Sequence, residues 1–180
     1  MEIEVPKDIR DIWTAEATPV VKYPDPVLRQ VAEPVGKPDR STRDLVEYMK
    51  VVMRQARGLG LAAPQVGVSQ RLLIYRLQDE NSPLRVLIDP KILSMKGEQV
   101  GPEGCLSFPH LHGDVTRANE VIVRATDMLG RTAKRRVTEM EARVIQHEMD
   151  HLDGILFIDR ADTSTLGWVL PGDDDDGLRD

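Results

Sequence analysis

Gln146-His147-Glu148-Met149-Asp150-His151 decides how the rest of this 180-residue chain is read. The hexapeptide lies in a segment with helical character. Each helical residue turns by about 100°, so two histidines four apart project from one face, one turn apart. Two imidazoles so placed can hold one metal ion, and Glu148, beside the first of them, can reach a water on it. The bland alternative is a surface helix with two chance histidines. The chain has only 4 histidines, and two of them fall at this spacing around a glutamate.

Outward from the hexapeptide, a helix is expected from Glu139 to about Leu152. Thr138 and Glu141 form a capping-box pattern at its start, and Gly154 suits its C-terminal cap. Met140, Val144, His147 and His151 share one side. Upstream, Glu120–Thr126 and Arg131–Val137 read as a hairpin around Asp127-Met128-Leu129-Gly130. Val121 and Val123 lie on one face, Ile122 and Arg124 on the other. Extended stretches are also expected at 72–77, 85–89, 92–100 and 114–118. A second helix is expected over 42–57. Ser41 and Asp44 would be its capping pair, Leu45, Met49, Val52, Met53 and Ala56 its buried face, and Gly58 its stop. Ile155–Ile158 reads as a short strand or turn.

The ends carry less pattern. Residues 1–20 read as an extension over the surface with room for one short helical turn. Tyr23-Pro24-Asp25-Pro26-Val27-Leu28-Arg29 is turn-rich. Residues 162–180 read as a frayed acidic tail, with Trp168-Val169-Leu170 a candidate anchor. No repeat or linker interrupts the chain, so one domain over 1–180 is expected.

Composition excludes several classes. The net charge is -6, with acid weighted to Asp173–Asp176, which argues against a general affinity for nucleic acid or anionic membrane. No apolar run approaches the ~20 residues of a membrane span. No secretory pattern opens the chain. The single cysteine, Cys105, permits no internal disulfide and fits a reducing compartment.

Gly58-Leu59-Gly60-Leu61-Ala62-Ala63-Pro64-Gln65-Val66-Gly67 superficially matches a dinucleotide-binding fingerprint. That fingerprint needs a strand before it and a helix after it. Here a helix precedes it, and a strand-like run, Arg71-Leu72-Leu73-Ile74-Tyr75, follows. The glycines instead fit backbone brought close to a ligand, with Gln65 displayed nearby.

Two histidines leave a catalytic metal one protein ligand short. No His, Cys or Glu follows His151. Asp153 is too near along the helix end, and Asp159 and Asp162 stand among tail-like charges. Upstream, Cys105 in Glu103-Gly104-Cys105-Leu106-Ser107 is the one soft ligand, with His110 and His112 as weaker rivals in a loop-like stretch. A Cys-His-His set suits Fe(II), Zn(II), Co(II) or Ni(II). Such a metal activates water near neutral pH and polarises a carbonyl. Glu148 is placed to move the proton, and the Gln65 amide and the Leu106 N–H are candidate donors to an oxyanion. The implied reaction is hydrolysis of an amide-like bond.

The Gly58–Gln65, Glu103–Ser107 and Gln146–His151 stretches together resemble peptide deformylases, which remove the formyl group from the N-terminal methionine of nascent chains. The resemblance covers about residues 20 to 160. It implies an α+β fold with mixed or antiparallel sheets around a central helix carrying the two histidines. It also implies Cys105, His147 and His151 as ligands of one divalent metal, natively Fe(II) with Zn(II), Ni(II) or Co(II) as substitutes. Glu148 would be the acid/base, and Gln65 and the Leu106 N–H would steady the tetrahedral oxygen. Gly60 would line the substrate backbone, with Leu59 and Val144 bordering the methionine side chain. N-formylmethionyl peptides emerging from the ribosome in the cytoplasm would be the partners, with no sequence-specific nucleic acid and no membrane. Arg124 would pair with Asp150 behind the ligands. Arg57, His110, His112 and the long N-terminal segment depart from the family pattern, but none occupies a catalytic position. An endopeptidase using the same helix motif, and a non-enzymatic binding module on the same scaffold, are the rival functions.

Overall fold

The structure is a computed structural model that describes residues 1–15, 18–77 and 82–169. Three helices, α1 (Lys7–Ala15), α2 (Arg40–Gln55) and α3 (Glu139–Leu152), pack with two antiparallel sheets. The strands are β1 (Gly60–Ala62), β2 (Leu72–Tyr75), β3 (Arg85–Lys96), β4 (Gln99–Cys105), β5 (Phe108–Arg117), β6 (Glu120–Thr126), β7 (Thr132–Thr138) and β8 (Gly167–Trp168). The larger sheet runs β1-β2-β3-β6-β7, the smaller β4-β5-β8. The α+β architecture around a histidine-bearing helix is the expected one.

Side-chain alternation places the two long helices on opposite faces of the larger sheet. In β2, Leu72 and Ile74 pack with Val46, Met49, Val52 and Met53 of α2. Leu73 and Tyr75, pointing the other way, pack with Ala142, Ile145, Met149 and Leu152 of α3. Val121 and Val123 of β6 join the α3 side. A third apolar group, including Leu28, Phe108, Val115, Leu156 and Phe157, fills the space behind Cys105.

Several local expectations change. The α2 cap is Asp39, not Ser41 with Asp44. Asp39 accepts the Thr42 N–H at 2.9 Å, and Thr42 Oγ1 accepts the Asp39 N–H at 3.3 Å. The buried face includes Val46, while Leu45 is half-buried. Thr138 makes no side-chain cap to α3; Glu141 is instead taken by Tyr75 Oη and Arg135 Nη2, each at 2.7 Å. Tertiary partners thus outcompete the local box. Gly154 does end α3, at φ +70°, where a Cβ would come within 2.5 Å of the Arg29 carbonyl oxygen.

The expected strands 85–89 and 92–100 form one long β3, irregular around Pro90, followed by a turn at Gly97 into β4. The strand expected at 114–118 starts earlier, at Phe108, so His110 and His112 lie on β5 rather than in a loop. Of the two readings of Ile155–Ile158 the turn holds, as a 3-10 turn over Phe157–Asp159.

The N-terminal segment is more tied down than its sequence suggests, and the expected anchor at Trp168-Val169 packs on the body. Residues 7–15 form a true helix with Ile9 buried, and Trp13 Nε1 donates to the Pro109 carbonyl at 3.0 Å. Trp168 pairs with Leu111 in β8–β5 and lies 5.9 Å from the Trp13 ring. Of the tail assigned to 162–180, the part through Val169 packs on β5, where the Val169 N–H reaches the His110 carbonyl at 2.8 Å. Leu170 and Asp173–Asp176 lie outside the described residues.

Candidate metal centre and active site

Helix α3 and the β4–β5 hairpin each bring part of the site. One helical turn separates His147 from His151, whose rings sit 5.2 Å apart. Cys105 ends β4, where the register with β5 shifts between Gly104 and Cys105. That irregularity turns the thiol toward the helix, and Cys105 Sγ lies 3.2 Å from His151 Nε2. One ligand atom from each of Cys105, His147 and His151 lies within 4.8 Å of the others. The rivals fall elsewhere: Asp153 pairs with Arg71, Asp159 with Arg29 and the N-terminus, and the Asp162 side chain accepts from Ser164. His110 and His112 line the cleft but do not join the cluster.

The three donors fit a divalent metal on chemical grounds. They are a thiol and two imidazoles, buried or nearly so, converging from two elements. His147 Nδ1 donates to Glu103 Oε2 at 2.9 Å, which leaves its Nε2 lone pair for the site. Burial opposes a thiolate at Cys105, but the facing His151 and His147 overcome it and draw the thiol pKa well below its ordinary value. Burial likewise opposes a charged His147, yet its bonds to Cys105 and Glu103 raise it well above the usual imidazole range, so a metal ion would take the Nε2 lone pair by displacing that proton.

Glu148 is 4% exposed, and its Oε2 has no hydrogen-bond partner. Burial, opposed by the two neighbouring histidines, pushes its carboxyl up to about 7. Gly60 is what lets this carboxylate approach β1: a Cβ there would lie 2.4 Å from Glu148 Oε1. Gln65 comes from the 3-10 turn Ala63–Val66 after β1. Its Oε1 accepts the Ala62 N–H at 2.9 Å, so its amide nitrogen faces Ser107 Oγ at 3.3 Å and Cys105 Sγ at 3.6 Å. The glycine stretch leads through that 3-10 turn into strand β2, not into an α-helix, as the rejection of a dinucleotide site requires. A cavity of about 440 Å³ opens over the cluster, and Leu59, Gly60, Gln65, Cys105, Leu106, Val144, His147 and Glu148 all line it.

Behind the ligands the expected Arg124–Asp150 pair does not form. Arg124 is exposed on β6, because β6 alternation sends Val121, Val123 and Ala125 inward and Arg124 outward. Asp150 is held instead by Arg117 and Arg160. Glu103 accepts from Arg117 Nε and Nη2, each at 2.9 Å, and from Arg143 Nη1 at 2.8 Å, besides His147. Burial resists its ionisation, but the bonds from His147 and Arg117 prevail and hold it down at about 2. Arg143 also reaches the carbonyls of Gln99, Gly101 and Val115. Sequence reasoning assigned no role to Glu103, Arg117 or Arg143. A signal existed: Leu111, Val115 and Arg117 fall on one alternation of β5, and Arg143 stands four before His147 on α3.

The model of the family described as polypeptide deformylase matches residues 17–166. The chain belongs to the polypeptide deformylase family. A peptide deformylase of Acidobacterium capsulatum is 47% identical over 154 residues, covering 84% of this chain and 91% of the relative. One from Dictyoglomus thermophilum is 45% identical, covering 81% of this chain and 93% of its own. Among solved structures, a Synechococcus elongatus peptide deformylase in complex with actinonin superposes with TM-score 0.77 at 42% identity, covering 80% of each chain. That of Thermotoga maritima gives 0.76 at 38% identity, covering 79% of this chain and 96% of that one. Deformylases are metalloenzymes and hydrolases; they remove the N-formyl group from newly made polypeptides.

Proposed function

We propose that Cys105, His147 and His151 of this deformylase hold one divalent metal ion, natively Fe(II), with Zn(II), Ni(II) or Co(II) as substitutes. The observation that carries the assignment is the convergence of three ligand atoms within 4.8 Å beside a buried carboxylate oxygen that has no other partner. When bound, such an ion supplies Lewis acidity, acidifying water and polarising the formyl carbonyl.

Glu148 takes a proton from the attacking water and passes it to the methionine nitrogen. The water oxygen adds to the formyl carbon, the C–N bond breaks, and formate leaves a free N-terminus. The Gln65 amide and the Leu106 N–H donate to the oxygen as the carbon becomes tetrahedral. The Gln65 carbonyl is already bonded to the Ala62 N–H, so its amide group needs little reorganisation. Gly60 keeps β1 close to Glu148, with Leu59 and Val144 bordering the methionine side chain. The substrates are N-formylmethionyl chains emerging from the ribosome in the cytoplasm. No helix among the described residues is long and apolar enough to cross a membrane.

The test is anaerobic preparation, metal analysis, and formate release from a formyl-Met peptide. Glu148→Ala should keep its metal and lose on the order of 10²–10⁴ in rate. A metal-loaded wild type no faster than that variant would sink the assignment.

A further inference from the structure

Arg117 is the residue least expected at its position: a guanidinium whose side chain is 4% exposed at the end of β5, on the side of α3 away from the reaction cleft. Its fork is divided. Nε and Nη2 hold both oxygens of Glu103 at 2.9 Å, while Nη1 reaches Asp150 Oδ2. Each acceptor adjoins a ligand. Glu103 takes the His147 Nδ1–H at 2.9 Å and stands two residues before Cys105 on β4. Asp150 immediately precedes His151 on α3 and is braced from its far side by Arg160 Nη2 at 3.0 Å. Arg117 therefore contacts one carboxylate that bonds His147 and lies on the strand ending at Cys105, and a second carried by the residue before His151.

We infer that Arg117 is a positioning residue that locks the Cys105 half of the site, on the β4–β5 hairpin, to the histidine half on α3. The inference rests on Cys105, His147 and His151 holding the metal. The physical reason is geometric. A hairpin and a helix are separate elements, and their relative placement sets the ligand triangle. A rigid planar fork satisfied by two carboxylates fixes that placement, which a lysine's single ammonium cannot do. Partners behind the ligands, when removed, cost about 10- to 100-fold in metal affinity.

The experiment measures release of Ni(II) from the loaded holoenzyme to a chelator, beside the absorption spectrum of the Co(II) form. Arg117→Lys and Arg117→Gln should release Ni(II) at least about tenfold faster and shift the Co(II) bands. The peptide KM should stay at the wild-type value, since Arg117 does not line the reaction cleft. Val123→Ala, in the core of β6 away from the fork, supplies a matched loss of Tm. Wild-type release from Arg117→Lys overturns the inference. So does equal acceleration in Val123→Ala at the same Tm, which would make the role merely structural. Should Arg117→Gln fail to fold, Arg117→Lys and the milder Asp150→Asn carry the same test, with a smaller acceleration expected from the latter. A wild type that takes up no Ni(II) defeats the metal assignment and this inference together. A wild type that binds it, with unmoved variants, defeats this one alone.

Discussion

Helices α2 and α3 differ by only two residues in length and pack on opposite faces of the same sheet, yet they are built on different principles. α2 is amphipathic in the ordinary sense: Val46, Met49, Val52 and Met53 are buried while Tyr48 and Val51 face outward. α3 is buried on nearly every side from Ala142 to Leu152, and its buried set includes Arg143, Gln146, Glu148, Asp150 and His151. A helix with the cleft on one face and core on the other has no face left for its polar groups. Each finds a partner inside the protein or, like Glu148, faces the cleft. Gln146 spans to the backbone of Ala118 at 2.9 Å in both directions, and the charges meet in the Glu103–Arg117–Asp150 network.

Substitutions on the two sides should separate accordingly. Glu103→Ala removes the carboxylate shared by Arg117, Arg143 and the His147 Nδ1–H, leaving Arg117 only Asp150 and Arg143 only backbone carbonyls. It should cost about 3–5 kcal/mol in urea unfolding, with loss of bound metal. A cost below about 1 kcal/mol would show that water repairs the network and would erase the contrast with α2. Met49→Ala, in the buried stripe of α2, should cost about 2–4 kcal/mol and leave metal content and formate release per folded molecule unchanged. Altered metal binding there would couple the two faces of the sheet.

Asp39→Ala, which removes the α2 cap, should lower Tm by roughly 2–4 °C. The Asp39 carboxyl is held down at about 2, first by the Ser41 hydroxyl and then by the Thr42 N–H. A depressed carboxylate stabilises fully above its unfolded pKa near about 4, and that contribution is lost as pH falls through its folded value. The gap in Tm between wild type and variant should therefore close between about pH 4 and pH 2. A gap that persists below pH 2 would mean the cap acts through packing rather than charge. Val51→Lys, on the outer face of α2, should change stability by less than about 0.5 kcal/mol. A larger loss would mark that face as covered in solution.

The same contrast explains how far the sequence could be read. The periodicity of α2 announced a helix, and alternation in β6 put Val121 and Val123 on one face and Arg124 on the other without telling which face turns inward. The spacing of His147 and His151 placed two imidazoles on one helical face, and the shortage of later donors pointed back to Cys105, which the fold brings beside them. Local chemistry misled where a tertiary partner was stronger. Glu141 left the capping pattern for Tyr75 and Arg135, and Pro90 interrupted β3 without ending it. Residues 7–15 lacked a strong pattern because α1 gains its order from docking Ile9 and Trp13 against distant segments.

By itself, the sequence singled out the residues that the fold brings together in the cleft: the Cys105, His147, His151 set, Glu148, Gln65 and the glycine that clears their space. Each was legible because it depends on residue type and short-range spacing. Only the tertiary structure decided what stands behind them. Arg124 and Arg117 are both arginines on strands, and nothing local tells which one reaches Asp150. The choice follows from the face each strand turns inward and from how β5 crosses α3, relations between segments tens of residues apart. A buried charge is placed by its partners, and partners brought together by folding are not written in the neighbouring residues.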